Sequence, residues 1–237
     1  MGCVFCATGQ MGFKRHLTSG EIIEQVLYYA RLLKQKKEQV TNIVVMGMGE
    51  PLHNYDATMS AIARLNDPSG FNHGARRFTI STVGLVPGIH RFAQERSQVN
   101  LAISLHAADD DLRSSLLPIN KKYPLDTLFS ACHEYVALTH RRLSFEWALI
   151  NGINDTPEQA KLLVQRLKPF QSAGSALCHV NLIRLNPTKK YTGQASSQSN
   201  ARQFQSVLEG AGIPCTIRLR RGIEIQAGCG QLAIMQG

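Results

Sequence analysis

Two hydrophobic spacings alternate along this chain, one of helix period and one of short apolar runs. The first helical stretch is opened by Thr18-x-x-Glu21, the spacing of a capping box, and an amphipathic run follows to about Lys37. A short apolar run over 42–46 then stops at Gly47 and reads as a strand. Asn54 is placed to cap a helix to about Leu65, 77–81 reads as the next strand, and Pro87 suits the first position of another helix. Strands are predicted over 100–104, 143–150, 178–183 and 215–219. Helices are predicted over about 125–139, from Pro157 (capped by Asp155 or Thr156) to before Pro169, and from Ser199 to about Glu209, where Gly210 and Gly212 end it.

Strands separated by helices imply parallel βαβ units and a single α/β domain over 1–237. Polar and glycine-rich segments follow the strand ends, at 47–50, 81–84, 104–106, 151–152 and 185–187. Sites of open α/β sheets and barrels form at those carboxyl ends, so one face should collect these loops. The Gly/Ser/Gln-rich segment 191–199 reads as a mobile loop. A cysteine loop precedes the first helix with no strand ahead of it, and if it too follows a strand, that strand lies upstream of Met1.

Charge adds a second line. Lys and Arg number 26 against 17 Asp and Glu, a net +9 with a pI near 9.5, in small basic groups such as Arg76-Arg77, Arg141-Arg142 and Arg218 with Arg220-Arg221. This fits either an ordinary basic surface or a polyanionic partner such as RNA. No apolar run reaches the ~18 residues of a spanning helix, and no basic n-region with an apolar stretch follows Met1. A cytoplasmic protein with reduced thiols and no membrane association is therefore expected.

The six cysteines are Cys3, Cys6, Cys132, Cys178, Cys215 and Cys229. Cys3-Val4-Phe5-Cys6 alone fits half a zinc site, a redox pair, iron–sulfur ligands or a structural role. Zinc would need four ligands, and there is no second Cys-x-x-Cys. Cys132, inside a predicted helix, and Cys178 and Cys215, at strand starts, read as buried structural thiols. Gly47-Met48-Gly49-Glu50-Pro51 is equally a tight turn or a carboxylate-bearing ligand loop.

The run Cys6-Ala7-Thr8-Gly9-x-x-Gly12-Phe13-x-Arg15-x-Leu17 is more specific, as are Gly47-Met48-Gly49-Glu50-Pro51-Leu52, Ser81-Thr82-Val83-Gly84 and Ser104-Leu105-His106. Leu117-Pro118-Ile119-Asn120, Asn186-Pro187 and Arg221-Gly222-x-Glu224-Ile225-x-Ala227-x-Cys229-Gly230-Gln231 extend the pattern over essentially the whole chain, in order. Together they resemble the RlmN/Cfr family of radical S-adenosylmethionine (SAM) RNA methyltransferases.

That resemblance implies a radical-SAM (β/α)6 partial barrel, here without its first strand and N-terminal accessory domain. It implies a [4Fe–4S] cluster held by Cys3, Cys6 and a third cysteine that should fall two residues before Met1. Gly49, Glu50, Ser81, Ser104, Leu105, His106 and Asn186 would line the SAM site, with Glu50 near the SAM ammonium. Cys229 would carry the methyl group as methyl-cysteine, two SAM molecules would be used per turnover, and a disulfide with a second cysteine, also upstream, would release the product. Arg218, Arg220 and Arg221 would meet RNA phosphate or be plain surface charge. The activity implied is methylation of adenine C2 in 23S rRNA and tRNA by a monomer fed electrons by a donor such as flavodoxin. The alternatives are C8 methylation of 23S rRNA, or a truncated remnant that only binds RNA or SAM. With two of three cluster cysteines, the chain as it stands is expected to be inactive, and an in-frame cysteine two residues ahead of Met1 would favour the enzyme over the remnant.

Overall fold

The computed structural model describes residues 1–172, 175–188, 190–219 and 230–232. After the cysteine loop and one turn, α1 (Ala7–Gln10), comes α2 (Ser19–Gln35). Its capping box is formed: the Thr18 hydroxyl accepts from the Glu21 backbone N–H at 3.2 Å, and the Glu21 carboxylate accepts from the Thr18 N–H at 2.8 Å. Then follow β1 (Ile43–Val45), α3 (Tyr55–Asn66), β2 (Phe78–Thr82), α4 (Val86–Gln94), β3 (Asn100–Ser104), α5 (Asp110–Leu116), α6 (Leu125–Thr139) and β4 (Leu143–Leu149). The remainder is α7 (Pro157–Leu167), a small hairpin of β5 (Gln171–Ser172) and β6 (Ser175–Ala176), β7 (Cys178–Arg184), α8 (Gln198–Gly210) and β8 (Cys215–Ile217).

Six strands form one parallel sheet in the order β1-β2-β3-β4-β7-β8, so chain order is sheet order. Right-handed crossovers that never reverse direction place the crossover helices α3, α4, α6, α7 and α8 on the same side. Alternation along the strands matches this. Phe78, Ile80, Leu101, Ile103, Phe145, Trp147, Val180 and Leu182 belong to one core cluster with helical residues such as Ile62, Ile89, Phe129, Leu163 and Phe204. Their neighbours Thr79, Ser81, Ser104, Ser144, Glu146 and Asn181 point to the other face, where the register aligns Ser104, Glu146, Asn181 and Thr216 in one polar row. A parallel sheet is normally apolar on both faces. A polar face here is the wall of a site.

Local differences from the predicted elements are small and physical. Pro87 occupies the second helical position of α4, and α8 is capped by Ser197, whose hydroxyl accepts from Asn200 N–H at 3.0 Å, two residues before the expected start. Helix α5 was not predicted, since seven residues are too few to display a period; Asp109 caps it through Leu112 N–H at 2.8 Å. Cys132 and Cys178 are fully buried as expected, while Cys215 is half-buried. All five described cysteines are free thiols, so no disulfide exists among the described residues; the pairing expected of Cys229 falls outside them.

The segment 191–199 is tied down rather than mobile. Asn151 N–H donates to Gln194 O at 2.9 Å, Ile150 and Ala195 form a β-bridge, and the fully buried Ser196 donates its hydroxyl to Asp155 at 2.6 Å. Asp155 also accepts from Gly152 N–H at 2.8 Å and Asn200 Nδ2 at 3.2 Å. Composition marks a loop, but not the carboxylate that receives it. Asp155→Ala is expected to cost about 1–3 kcal/mol by leaving buried donors unpaired. Limited proteolysis checks it: cleavage should appear within 191–197 in the variant and be slow in the parent.

Candidate functional site

Every candidate residue that the structure describes falls at the carboxyl ends of the strands. After β1, Gly49 takes a positive φ of 103° that a glycine adopts without strain, and this turns Glu50 inward. Glu50 is buried, and its carboxylate accepts from Leu52 N–H at 3.1 Å and Val83 N–H at 2.8 Å. Burial raises its pKa above the ordinary carboxylate value despite these donors and the Thr82 hydroxyl. No cation pairs with it among the described residues. A carboxylate in this position would be stabilised in its ionised form by an incoming cation.

Beside it, the Ser81 and Ser104 hydroxyls lie 3.3 Å apart across β2 and β3. Leu105 is fully buried, and its N–H donates to Glu146 O at 3.0 Å. His106 has a φ of 61°, and its buried ring accepts at Nδ1 from Ala148 N–H at 2.9 Å while its carbonyl accepts from Asn154 Nδ2 at 2.7 Å. It stitches β3 to β4 from within the wall. Burial pushes its pKa down to about 3, helped by the nearby Arg113 charge, so the ring is neutral near pH 7.

The cysteine loop sits on these ends. Cys3 and Phe5 are buried in a second apolar cluster with Leu116, Leu117, Ala148, Ile150 and Leu185, and the Phe5 ring meets His106 edge-on at 5.0 Å. Val4 N–H donates to Leu116 O at 3.1 Å, and Gln10 Nε2 closes the loop onto Val4 O at 2.7 Å. Burial pushes the Cys3 thiol up to about 11, with the neighbouring Cys6 adding to it. Asn186, also buried, follows Leu185 at the end of β7.

Cys229 lies outside the described residues, but the segment after it does not. Ala7 N–H, next to Cys6, donates to Gly230 O at 2.8 Å, and the Thr8 hydroxyl donates to Leu232 O at 2.6 Å. A Cβ placed on Gly47 would come within 3.2 Å of the Leu232 side chain. Residues 7–8 and 230–232 therefore meet, with Leu232 beside Gly47.

The donor set fits part of a cluster site. Cys3 and Cys6 offer two thiols, the donor type iron–sulfur clusters take, whereas a [4Fe–4S] cluster takes more than two. No group of three or more His, Cys, Asp or Glu able to hold a metal occurs among the described residues. For SAM, the cation-seeking Glu50 and the hydroxyl-lined wall suit an ammonium and a ribose.

Sequence reasoning missed two residues here. Arg113 is completely buried, with its guanidinium among the carbonyls at the ends of β2 and β3. Glu146, on the polar face, accepts from Asn181 Nδ2 at 2.8 Å and has its pKa raised by burial. The alternating pattern of 143–149 was the available signal, because a glutamate between Phe145 and Trp147 has to face away from the core.

No described helix is long and apolar enough to cross a membrane. The profile of the Radical SAM superfamily matches residues 1–164. A probable dual-specificity RNA methyltransferase RlmN of Chloroflexus aurantiacus is 51% identical over 98% of this chain and 63% of its own length. One of Roseiflexus castenholzii is 44% identical over 98% of this chain and 68% of its own length. The crystal structure of a radical SAM methyltransferase from Sphaerobacter thermophilus superimposes with a TM-score of 0.92 at 50% identity, covering 97% of this chain and 66% of that one. The chain thus spans about 63% of the length of the first curated relatives it matches. With that coverage, and with the Cys3–Cys6 loop and Glu50 on one strand-end face, the chain belongs to the radical SAM superfamily and, within it, to the RlmN family.

Proposed function

We propose that the full gene product methylates C2 of adenine in 23S rRNA and tRNA, using SAM and a [4Fe–4S] cluster, with Cys229 as the methyl-carrying residue. The observation behind this reading is the Ala7–Gly230 hydrogen bond, which brings the residue after Cys229 against the residue after Cys6, beside the Glu50 loop. A bound cluster supplies the electron that cleaves SAM. The chain's own residues do the rest. Cys3 and Cys6 ligate, and the surrounding Phe5, Leu116 and Ile150 exclude water from that side. Glu50 receives the SAM ammonium, while Ser81 and Ser104 offer hydroxyls to the ribose and Leu105, His106 and Asn186 complete the wall. His106 contributes position and not a proton, being neutral with Nδ1 already engaged.

RNA is favoured as the partner by the net charge of +9 and by the exposed rings of Phe13, His16 and His53, which cluster at 4.9–6.1 Å next to Glu50. Unpaired bases stack on such rings.

The test is expression of the full gene in cells lacking their own adenine-C2 methyltransferase, followed by mass spectrometry of nucleosides from 23S rRNA and tRNA. 2-Methyladenosine in both is expected. 8-Methyladenosine in rRNA alone would establish the C8 reaction, and neither product from a folded protein would leave a binding remnant.

A further inference from the structure

Arg113 has a side chain that no part of this chemistry uses. It is fully buried in α5 and forms no ion pair among the described residues. An arginine in that position destabilises a fold unless its donors are all met. Four of its five N–H donors have acceptors here, three of them carbonyls at the strand ends of the site. Nε donates to Leu105 O at 3.1 Å, one terminal nitrogen to Asn120 Oδ1 at 2.8 Å, and the other to Val83 O at 2.7 Å and Ser104 O at 3.3 Å.

We propose that Arg113 is a positioning residue for the SAM site, holding the ends of β2 and β3 in register and setting Glu50 through the backbone of Val83. The inference rests on the SAM reading above. Val83 is held at both of its backbone groups, on the two peptides that flank its Cα: its N–H donates to Glu50 Oε2 at 2.8 Å and its carbonyl accepts from Arg113 at 2.7 Å. The Ser104 and Leu105 carbonyls are fixed by the same guanidinium. One cation thus orients the carboxylate proposed to meet the ammonium and the strand end proposed to meet the ribose.

Two sequence features find their reason here. Leu117-Pro118-Ile119-Asn120 builds a 3-10 turn over Pro118–Lys121 that presents Asn120 to Arg113. Asn120 is itself held by donating to the Asp110 carboxylate at 2.8 Å and to the Ser114 hydroxyl at 2.9 Å. Gly84, at a φ of 102°, leaves room for the contact: a Cβ there would lie 3.1 Å from Leu128 and 3.4 Å from Arg113.

The test uses Arg113→Met and Asn120→Ala in the full gene product. Hydrogen exchange on the cluster-free protein should show protection lost at Val83 and Leu105 but kept in the interiors of β2 and β3. After reconstitution, the SAM dissociation constant by equilibrium dialysis should rise about tenfold or more for Arg113→Met and severalfold for Asn120→Ala. Because Arg113 acts through Glu50, the combined loss in Arg113→Met/Glu50→Gln should be well below the product of the single losses. If Arg113→Met does not fold, Asn120→Ala with Glu50→Gln supplies the same cycle.

A lowered melting temperature with unchanged SAM affinity would overturn the inference, as would independent, multiplicative losses in the double variant. Should the parent fail to bind SAM at all, the SAM reading is the part that falls, and the exchange data report the clasp separately.

Discussion

Glu50→Ala is expected to weaken SAM binding by the full gene product about 100-fold, the equivalent of roughly 2.7 kcal/mol for a buried charge-assisted contact. The argument is one of desolvation. Glu50 has lost its water, and the two backbone donors it accepts do not neutralise it, so its pKa stands above the usual 4.5. Relative to the unfolded chain, the empty fold favours the protonated form, so stability falls as the pH rises from the ordinary carboxylate value through the raised pKa. A bound ammonium reverses this by favouring the ionised carboxylate. SAM affinity should therefore fall on acidification with a midpoint above 4.5, and Glu50→Gln should abolish that pH dependence. Calorimetric titration between neutral and mildly acidic pH reads both effects. Equal affinity in parent and Glu50→Gln would remove Glu50 from the site.

The second large effect is acid lability set by His106. Its ring is neutral and buried, with a pKa of about 3 against 6.5 for an ordinary histidine. The unfolded chain gains a proton below 6.5 while the native state does not, so stability drops as the pH falls from 6.5 toward 3. Each pH unit within that window costs up to about 1.4 kcal/mol, so some 2–3 kcal/mol is lost by about pH 4.5. Glu50 and Glu146, whose pKa values are raised, act in the opposite sense over part of this range. A variant comparison separates the contributions. His106→Asn keeps a side-chain acceptor and tolerates the positive φ of 61°. Denaturant melts across pH should show the parent losing stability relative to His106→Asn as acid is added. Parallel pH profiles would exclude His106 as the source.

The strands and most helices were legible because their periods are long enough to see: β2, β3, β4 and β7 fall within a residue or two of the predicted runs. The Gly47–Glu50 and Ser104–His106 segments could be placed at strand ends from the sequence, but their reading as a SAM site came from the family resemblance and not from their composition. Arg113 was not legible. Its helix is only seven residues long, and nothing in Asp-Asp-Leu-Arg-Ser-Ser-Leu distinguishes a buried arginine from a surface one. Its burial depends on Val83, Ser104 and Asn120, which lie 30, 9 and 7 residues away and meet only in the fold. The 191–199 segment shows the same limit from the other side. Its composition describes a loop correctly, but Asp155, which immobilises it, lies about 40 residues earlier.

The sheet with its long crossover helices on one side separates two kinds of evolutionary freedom. Residues that keep the protein folded, such as Ile103, Phe145 and Trp147, alternate with ones that face the site, such as Ser104, Glu146 and Ala148. Each strand can then be altered at every second position for new substrates while the intervening positions keep the domain stable. Ser104 is tied to the proposed SAM site, so changes in what this face accepts should fall on its row neighbours Glu146, Asn181 and Thr216.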